Sequence, residues 1–304
     1  METEEAQEDP LNLWDRDIIG GLELWFSDGT ESGTHPIVIN SNLYDYYAPI
    51  DIEYGYIPDN LYYQNYGFTT NSASSFPREL TAFGSNLVFV ANGVDPENDT
   101  ESDDDITTGF ELWQIDDEGN QHHLIADLRE GRKSSSPEQL TVVGDRLYFT
   151  ADAGDGRKLW STSSDLEAPQ EVNGAGHDPK ELHSINGELF FSARSERGRE
   201  LWSASNGIAT FVADINPGSG SSAPKNFIQI DQISNQSTKS QLFFTANDGK
   251  RGAEIWSLDL SRDDAKPSRY VDILEGPPSS DPRQLINADQ KLYFTANDGR
   301  KGRE

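Results

Sequence analysis

The chain contains no cysteine, and its one methionine is Met1. Disulfides and thiolate metal sites are therefore excluded, and beyond Met1 there is no sulfur side chain to oxidise. Bases are scarce: 24 Lys and Arg stand against 53 Asp and Glu, for a net charge of −29. A nucleic-acid partner needs a basic surface, so that class is excluded, and an anionic membrane is equally unsuited. No apolar run approaches the ~18 residues of a membrane span, so membrane insertion is not expected. The first ten residues, METEEAQEDP, are acidic and polar, unlike a secretory signal.

Catalytic signatures are also missing. The five histidines are His35, His122, His123, His177 and His183. None falls in an HExxH pattern, and no GxSxG, P-loop or dinucleotide fingerprint occurs. His122 and His123 are adjacent in a strand-like run, so they point to opposite faces and cannot chelate one metal.

What is present is a repeat. An apolar strand recurs as LVFVA at 87, LYFTA at 147, LFFSA at 189, LFFTA at 242 and LYFTA at 292. A second element follows it as ELW at 111, KLW at 158, ELW at 200 and EIW at 254. A Pro-led segment precedes it, opening at Pro77, Pro137, Pro179, Pro224 and Pro282, with spacings of 60, 42, 45 and 58 residues. A base period near 42 to 45 residues suits four short strands per unit. Proline stands at the start of the first strand, where no ladder N–H is needed. Turns such as NDGKRG supply left-handed residues between the second and third strands. The links between units carry Ser-Ser-x-Pro, as at Ser221-Ser222 and Ser279-Ser280, and an Asp ten residues before the proline: Asp127, Asp214 and Asp272. Their ordinary role is turn hydrogen bonding. The link at Gly176-His177-Asp178-Pro179 departs from the pattern.

Units of this kind repeated around an axis form a β-propeller, so the expected fold class is all-β, with a linear solenoid second. The recurring Trp25, Trp113, Trp160, Trp202 and Trp256 are expected between blades. The most complete motif copy is ELWFSDGTESGT, Glu23 to Thr34. On these residues the chain resembles the bacterial ELWxxDGT-repeat proteins, over roughly 20–304. The resemblance implies an exported or surface-exposed location and leaves function open.

The last unit shows no Leu-Trp of its own, while Leu24-Trp25 lacks a preceding inner half. The expected architecture is thus a five-bladed propeller in which Glu23–Phe26 pairs with Lys291–Thr295, with Leu24, Trp25, Leu292 and Phe294 as the closure. The domain plan is an extension over 1–20 and one propeller over 21–304, with insertions at 41–70 and 92–108. The first insertion holds eight of the eleven tyrosines, Tyr44, Tyr46, Tyr47, Tyr54, Tyr56, Tyr62, Tyr63 and Tyr66. Tyrosine combines large contact area with a polar tip and suits a protein interface. In the second, Asp95, Asp99, Asp103 and Asp105 form a carboxylate cluster that reads first as a solvated acidic loop, with calcium bound through oxygen ligands as the alternative. The function expected is a non-catalytic binding or assembly module with a protein partner. A glycan-binding lectin and a carboxylate-based glycosidase are the competing readings.

Overall fold

The computed structural model describes residues 22, 24–30, 33–37, 39, 75–94, 107–115, 122–234 and 237–304. Every regular element among them is a strand. A hairpin of β1 (Leu24–Ser27) and β2 (Thr34–Ile37) comes first. Its turn shows why the motif reads Asp-Gly-Thr: Asp28 Oδ1 accepts from Thr30 N at 2.8 Å and Thr30 Oγ1 at 2.7 Å. Thr30 Oγ1 in turn accepts from Gly33 N at 2.9 Å, which turns the chain into β2.

Four complete antiparallel sheets follow. Sheet one is β3 (Arg78–Phe83), β4 (Asn86–Val94), β5 (Thr107–Ile115) and β6 (His122–Ala126). Sheet two is β7 (Glu138–Val143), β8 (Arg146–Asp152), β9 (Arg157–Ser163) and the short β10 (Gln170–Glu171). Sheet three is β11 (His177–Ile185), β12 (Glu188–Ser195), β13 (Gly198–Ser205) and β14 (Ile208–Ala213). Sheet four is β15 (Lys225–Ser234), β16 (Ser237–Asn247), β17 (Ala253–Asp259) and β18 (Ser268–Val271). A final hairpin joins β19 (Arg283–Ala288) to β20 (Lys291–Thr295).

Each sheet is a meander whose strands pair in sequence order, and the repeat fixes its register. The aromatic of the second strand lies opposite the tryptophan of the third: Phe89 with Trp113, Phe149 with Trp160, Phe191 with Trp202, Phe244 with Trp256. Cross-strand aromatic pairs of this kind stabilise a sheet. The first strands lie beside one another in succession, β3 by β7, β7 by β11, β11 by β15 and β15 by β19. No pair of last strands among the described residues is in comparable contact. Sheets that converge on their first strands and splay at their last are propeller-type blades.

Apolar layers fill the seams. Phe89, Ala91 and Trp113 meet Leu24, Ile37 and Ile39 of the first hairpin. Phe149 and Leu147 meet Val88, Val90 and Leu112. Phe191 and Trp202 meet Tyr148 and Leu159. Phe244 and Leu242 meet Phe190 and Leu201. Leu285, Leu292 and Phe294 meet Ile230, Phe243 and Ile255. One rule therefore governs all five seams: the third residue of LxFxA packs backward and the second packs forward.

The expected closure is not formed. β1 pairs with β2, β20 pairs with β19, and the two hairpins stay separate two-stranded sheets. Leu24 is buried against sheet one, Leu292 and Phe294 pack on sheet four, and Trp25 is 58% exposed. The register supplies a reason. Glu304 N donates to Ala296 O and Ala296 N to Glu304 O, both at 2.9 Å. Glu304 thus occupies the place that Glu111, Glu200 and Glu254 hold opposite Ala91, Ala193 and Ala246. The position beside β20 that the residue preceding Leu24 would need is already taken. The tyrosines of the 41–70 insertion and Asp95, Asp99, Asp103 and Asp105 lie outside the described residues.

Candidate functional site

The glutamate that opens ELW proves to be a seam fastener. It faces a small alanine across the sheet, so its side chain is free to turn toward the link leaving its own sheet. Glu111, Glu200 and Glu254 are all fully buried. Glu200 accepts from Ser222 N at 2.9 Å, Ser222 Oγ at 2.5 Å and Ile215 N at 2.9 Å. Glu254 accepts from Ser280 N at 2.9 Å, Ser280 Oγ at 2.6 Å and Ile273 N at 3.3 Å. Glu111 accepts from Ser135 N at 2.6 Å, Ser135 Oγ at 2.5 Å and Leu128 N at 3.2 Å. Each serine carbonyl then accepts from the next sheet: Asp152 N on Ser135 O, Asn247 N on Ser222 O, Asn297 N on Ser280 O, each at 2.9 Å. One carboxylate thereby ties two sheets. Buried acceptors satisfied by charge-assisted bonds are strong, and leaving one unpaired is costly. Burial nonetheless pushes the Glu111 carboxyl up to about 7, although the donors from Ser135 and Leu128 pull the other way. Burial also raises Glu200, against the pull of Ser222 and Ile215.

The seam between sheets two and three has no such fastener. Lys158 stands where the glutamate belongs, opposite Ala151, and His177 stands where the serine belongs. Lys158 Nζ turns instead to Asp155 Oδ2 at 2.6 Å and Glu171 Oε2 at 3.0 Å. The link is withdrawn there. At three fastened seams the glycine two residues before the glutamate touches the link so closely that a Cβ would collide: Gly109 with Lys133, Gly198 with Gly220, Gly252 with Ser279. At the fourth, Gly156 has nothing within 4 Å. A cavity of about 420 Å³ opens at this seam, lined by Glu138, Gln139, Arg157, Asp178, Pro179, Lys180 and Glu181.

The cavity wall is polar and of mixed sign. Gln139 Oε1 accepts from Leu182 N at 3.2 Å, and Glu181 Oε2 accepts from Asn226 N at 3.3 Å. Both residues sit at equivalent first-strand positions with positive φ, 59° each. Their side chains are therefore occupied in joining neighbouring first strands. Asp178 is held by Arg199, with Arg194 at 3.6 Å and Lys180 at 3.8 Å. Glu138 and Lys180 are the most open, with 51% and 57% of their side-chain surface accessible.

Other residues singled out in the sequence are accounted for. His122 packs 5.9 Å from the Trp113 ring and burial lowers its pKa, while His123 is exposed. Asp127 Oδ2 accepts from Gly131 N at 3.0 Å, a turn bond. Among the described residues no three His, Cys, Asp or Glu are grouped to hold a metal. Periodicity alone does not show the fastener, although the sequence carries its signal: Glu and Ser-Ser occur together in four copies, Glu23 with Ser74-Ser75 among them, and are lost together in one.

No protein-family model matches the chain, and no curated protein matches it either. Among solved structures, the nidogen/laminin complex matches at 14% identity over 69% of this chain and 68% of that one, with a TM-score of 0.36. The acylaminoacyl peptidase of Pyrococcus horikoshii matches at 12% identity over 73% of this chain but only 32% of its own, with a TM-score of 0.40. TolB of Acinetobacter baumannii matches at 10% identity over 72% and 50%, with a TM-score of 0.36. The blade assignment rests on strand order and seam packing, not on these distant likenesses.

Proposed function

We propose that the chain is a non-catalytic binding or assembly module with a protein partner, and that its contact surface is the open end of the seam between sheets two and three. One observation supports this above the rest. The repeat fastens its seams with Glu and Ser, and departs from that rule where a cavity with accessible charged groups opens. A stability rule broken at one place in an otherwise regular scaffold marks that place for function. In this reading the tyrosine-rich segment 42–68 adds contact area, and an exported or surface location accords with the scarcity of sulfur side chains.

The absence of cysteine makes a clean test available. Lys180→Cys, labelled with a photoactivatable maleimide, places a single cross-linker at the open seam. Arg283→Cys is the matched control, because Lys180 and Arg283 both follow the blade proline and both are exposed. The seam at Arg283 is fastened by Glu254 and Ser280. The expected result in native extract is a discrete adduct from position 180 and none from 283. Equal yields at both positions, or none at either, would reject the contact surface.

A further inference from the structure

Three arginines occupy the same place, immediately before the ELW glutamate position: Arg157, Arg199 and Arg303. Two of them hold a carboxylate supplied by the residue before the proline of their own sheet. Arg303 donates through Nη1 to Asp281 O at 2.8 Å and through Nη2 to Asp281 Oδ2 at 2.7 Å. Arg199 donates through Nη2 to Asp178 Oδ2. In sheet two that residue is Ser136, which has no carboxylate.

Arg157 keeps the backbone half of the arrangement. Its Nη1 donates to Ser136 O at 3.0 Å, the counterpart of the Arg303 bond to Asp281 O, and to Thr150 O and Oγ1, both at 3.1 Å. Every hydrogen bond of this guanidinium among the described residues is made by Nη1. The nearest acid, Glu138, is 3.6 Å from the same Nη1 and is half exposed, so it does not replace the missing partner. The outer edge of the guanidinium thus lacks the carboxylate that its two counterparts hold. Arg157 lines the cavity, with Lys180 across it.

Resting on the reading of this seam as a contact surface, we propose that Arg157 is a carboxylate-binding residue and that a carboxylate of a partner polypeptide takes the seat Asp178 and Asp281 fill in cis. An Arg fork matches a carboxylate geometrically, and Lys180 adds a second positive charge. The net charge of −29 opposes an anionic partner at long range. That field is screened beyond ~8 Å at physiological salt, whereas the Arg157 contact is direct.

The test uses three capped tetrapeptides as probes: one with a free C-terminal carboxylate, its amidated twin, and an amidated twin carrying one Asp. Binding to the full chain is followed by NMR through the Arg157 Nε–Hε resonance. The expected result is that one or both carboxylate peptides shift that resonance while the uncharged twin does not. Which of the two binds tells a chain terminus from an acidic side chain. Ser136→Asp should block the seat and weaken binding about tenfold or more, the worth of one charge-assisted bond. This variant removes no contact of Arg157, and its φ of 48° matches the 49° and 46° of Asp178 and Asp281. Glu138→Gln should tighten binding about threefold by removing a weak competitor. The inference is overturned if the uncharged peptide binds as well as the others, if no peptide moves the Arg157 resonance, or if Ser136→Asp binds unchanged. Because cross-linking at position 180 needs no carboxylate, its survival alongside such a result would remove this inference and leave the contact surface standing.

Discussion

The seam between sheets three and four and the seam between sheets two and three share one apolar design and differ in their polar one. Phe244 against Phe190 and Leu201 repeats Phe191 against Tyr148 and Leu159. Yet Glu200 ties the former through Ser222, while the latter has no buried carboxylate and is bridged by single bonds, Gly207 N to the Tyr148 hydroxyl at 3.1 Å and Leu182 N to Gln139 Oε1 at 3.2 Å among them. Apolar packing with a few single hydrogen bonds can hold two blades together, so the carboxylate fastener is a separable device. Where it is removed, the chain gains a cavity without losing the fold.

The largest test of that separation is Trp202→Ala. This tryptophan is 9% exposed and sits in the unfastened seam. Losing a buried large aromatic there should cost about 3–5 kcal/mol in urea unfolding. Trp256→Ala, in the fastened seam, should cost measurably less, because Trp256 is only half-buried and Glu254 and Glu200 still tie the sheets around it. Equal costs would mean the fastener contributes nothing to seam cohesion. Trp25→Ala should stay within about 0.5 kcal/mol, since Trp25 is 58% exposed; a larger loss would restore the ring closure that the sheet pairing contradicts.

Next in size is Glu200→Ala, which removes the acceptor of Ile215 N and leaves Ser222 N and Oγ with only their longer bonds to Arg199 O, at 3.1 and 3.5 Å, in a buried place. The expected cost is about 3 kcal/mol, with partial recovery in Glu200→Gln, which keeps an acceptor. Lys158→Ala at the equivalent position should leave the unfolding midpoint nearly where it was, because its two ion pairs are surface contacts. If both substitutions cost the same, position within the repeat, not the serine partner, sets the value of this residue.

These contrasts show how much was readable beforehand. The four-strand unit, the first-strand prolines and the role of the tryptophans as seam residues follow from periodicity; Trp113 and Trp202 bear the last out, whereas Trp25, at 58% exposure, does not. The fastener leaves only a trace, the joint loss of Glu and Ser-Ser in one unit, because Glu200 and Ser222 meet only after the chain has run through a whole outer strand and its link. Counting motif halves suggested closure, but a count cannot see that Glu304 already continues its own sheet against Ala296. The cavity was hinted at by the divergent Gly-His-Asp-Pro link, whose consequence depends on Lys158 elsewhere in the sequence. Arg157 carries no sequence signal of its own, because its missing partner is defined only by the aspartates that Arg199 and Arg303 hold.

A third test uses pH. Burial raises the Glu111 carboxyl to about 7 from an ordinary value of 4.5. A folded-state pKa above the unfolded one means this group's contribution to stability is fully present below about 4.5 and is lost as pH rises through about 7. The unfolding midpoint of the wild type should therefore decline between these values. Glu111→Gln should decline less over the same window, and the difference isolates Glu111 from the general repulsion of a highly acidic chain. Parallel curves for the two proteins would show that Glu111 titrates no differently folded than unfolded.

The smallest expected effect carries the comparison to its end. If the fastener is separable, it can be installed: Lys158→Glu with His177→Ser should recreate at the open seam what Glu200 and Ser222 make at its neighbour. Two new charge-assisted bonds, less the lost pairs of Lys158 with Asp155 and Glu171, should give a net gain of about 1 kcal/mol. The gain should need both substitutions. Lys158→Glu alone buries a carboxylate facing His177, and His177→Ser alone gives a serine with no carboxylate to meet. A double-mutant cycle that reads zero coupling would show that the withdrawn link does not return when its partner is supplied. Positive coupling would be informative beyond stability, because drawing Asp178 and Pro179 back toward sheet two should shrink the cavity. The stabilised protein should then bind a carboxylate peptide more weakly at Arg157, whose own side chain is unchanged.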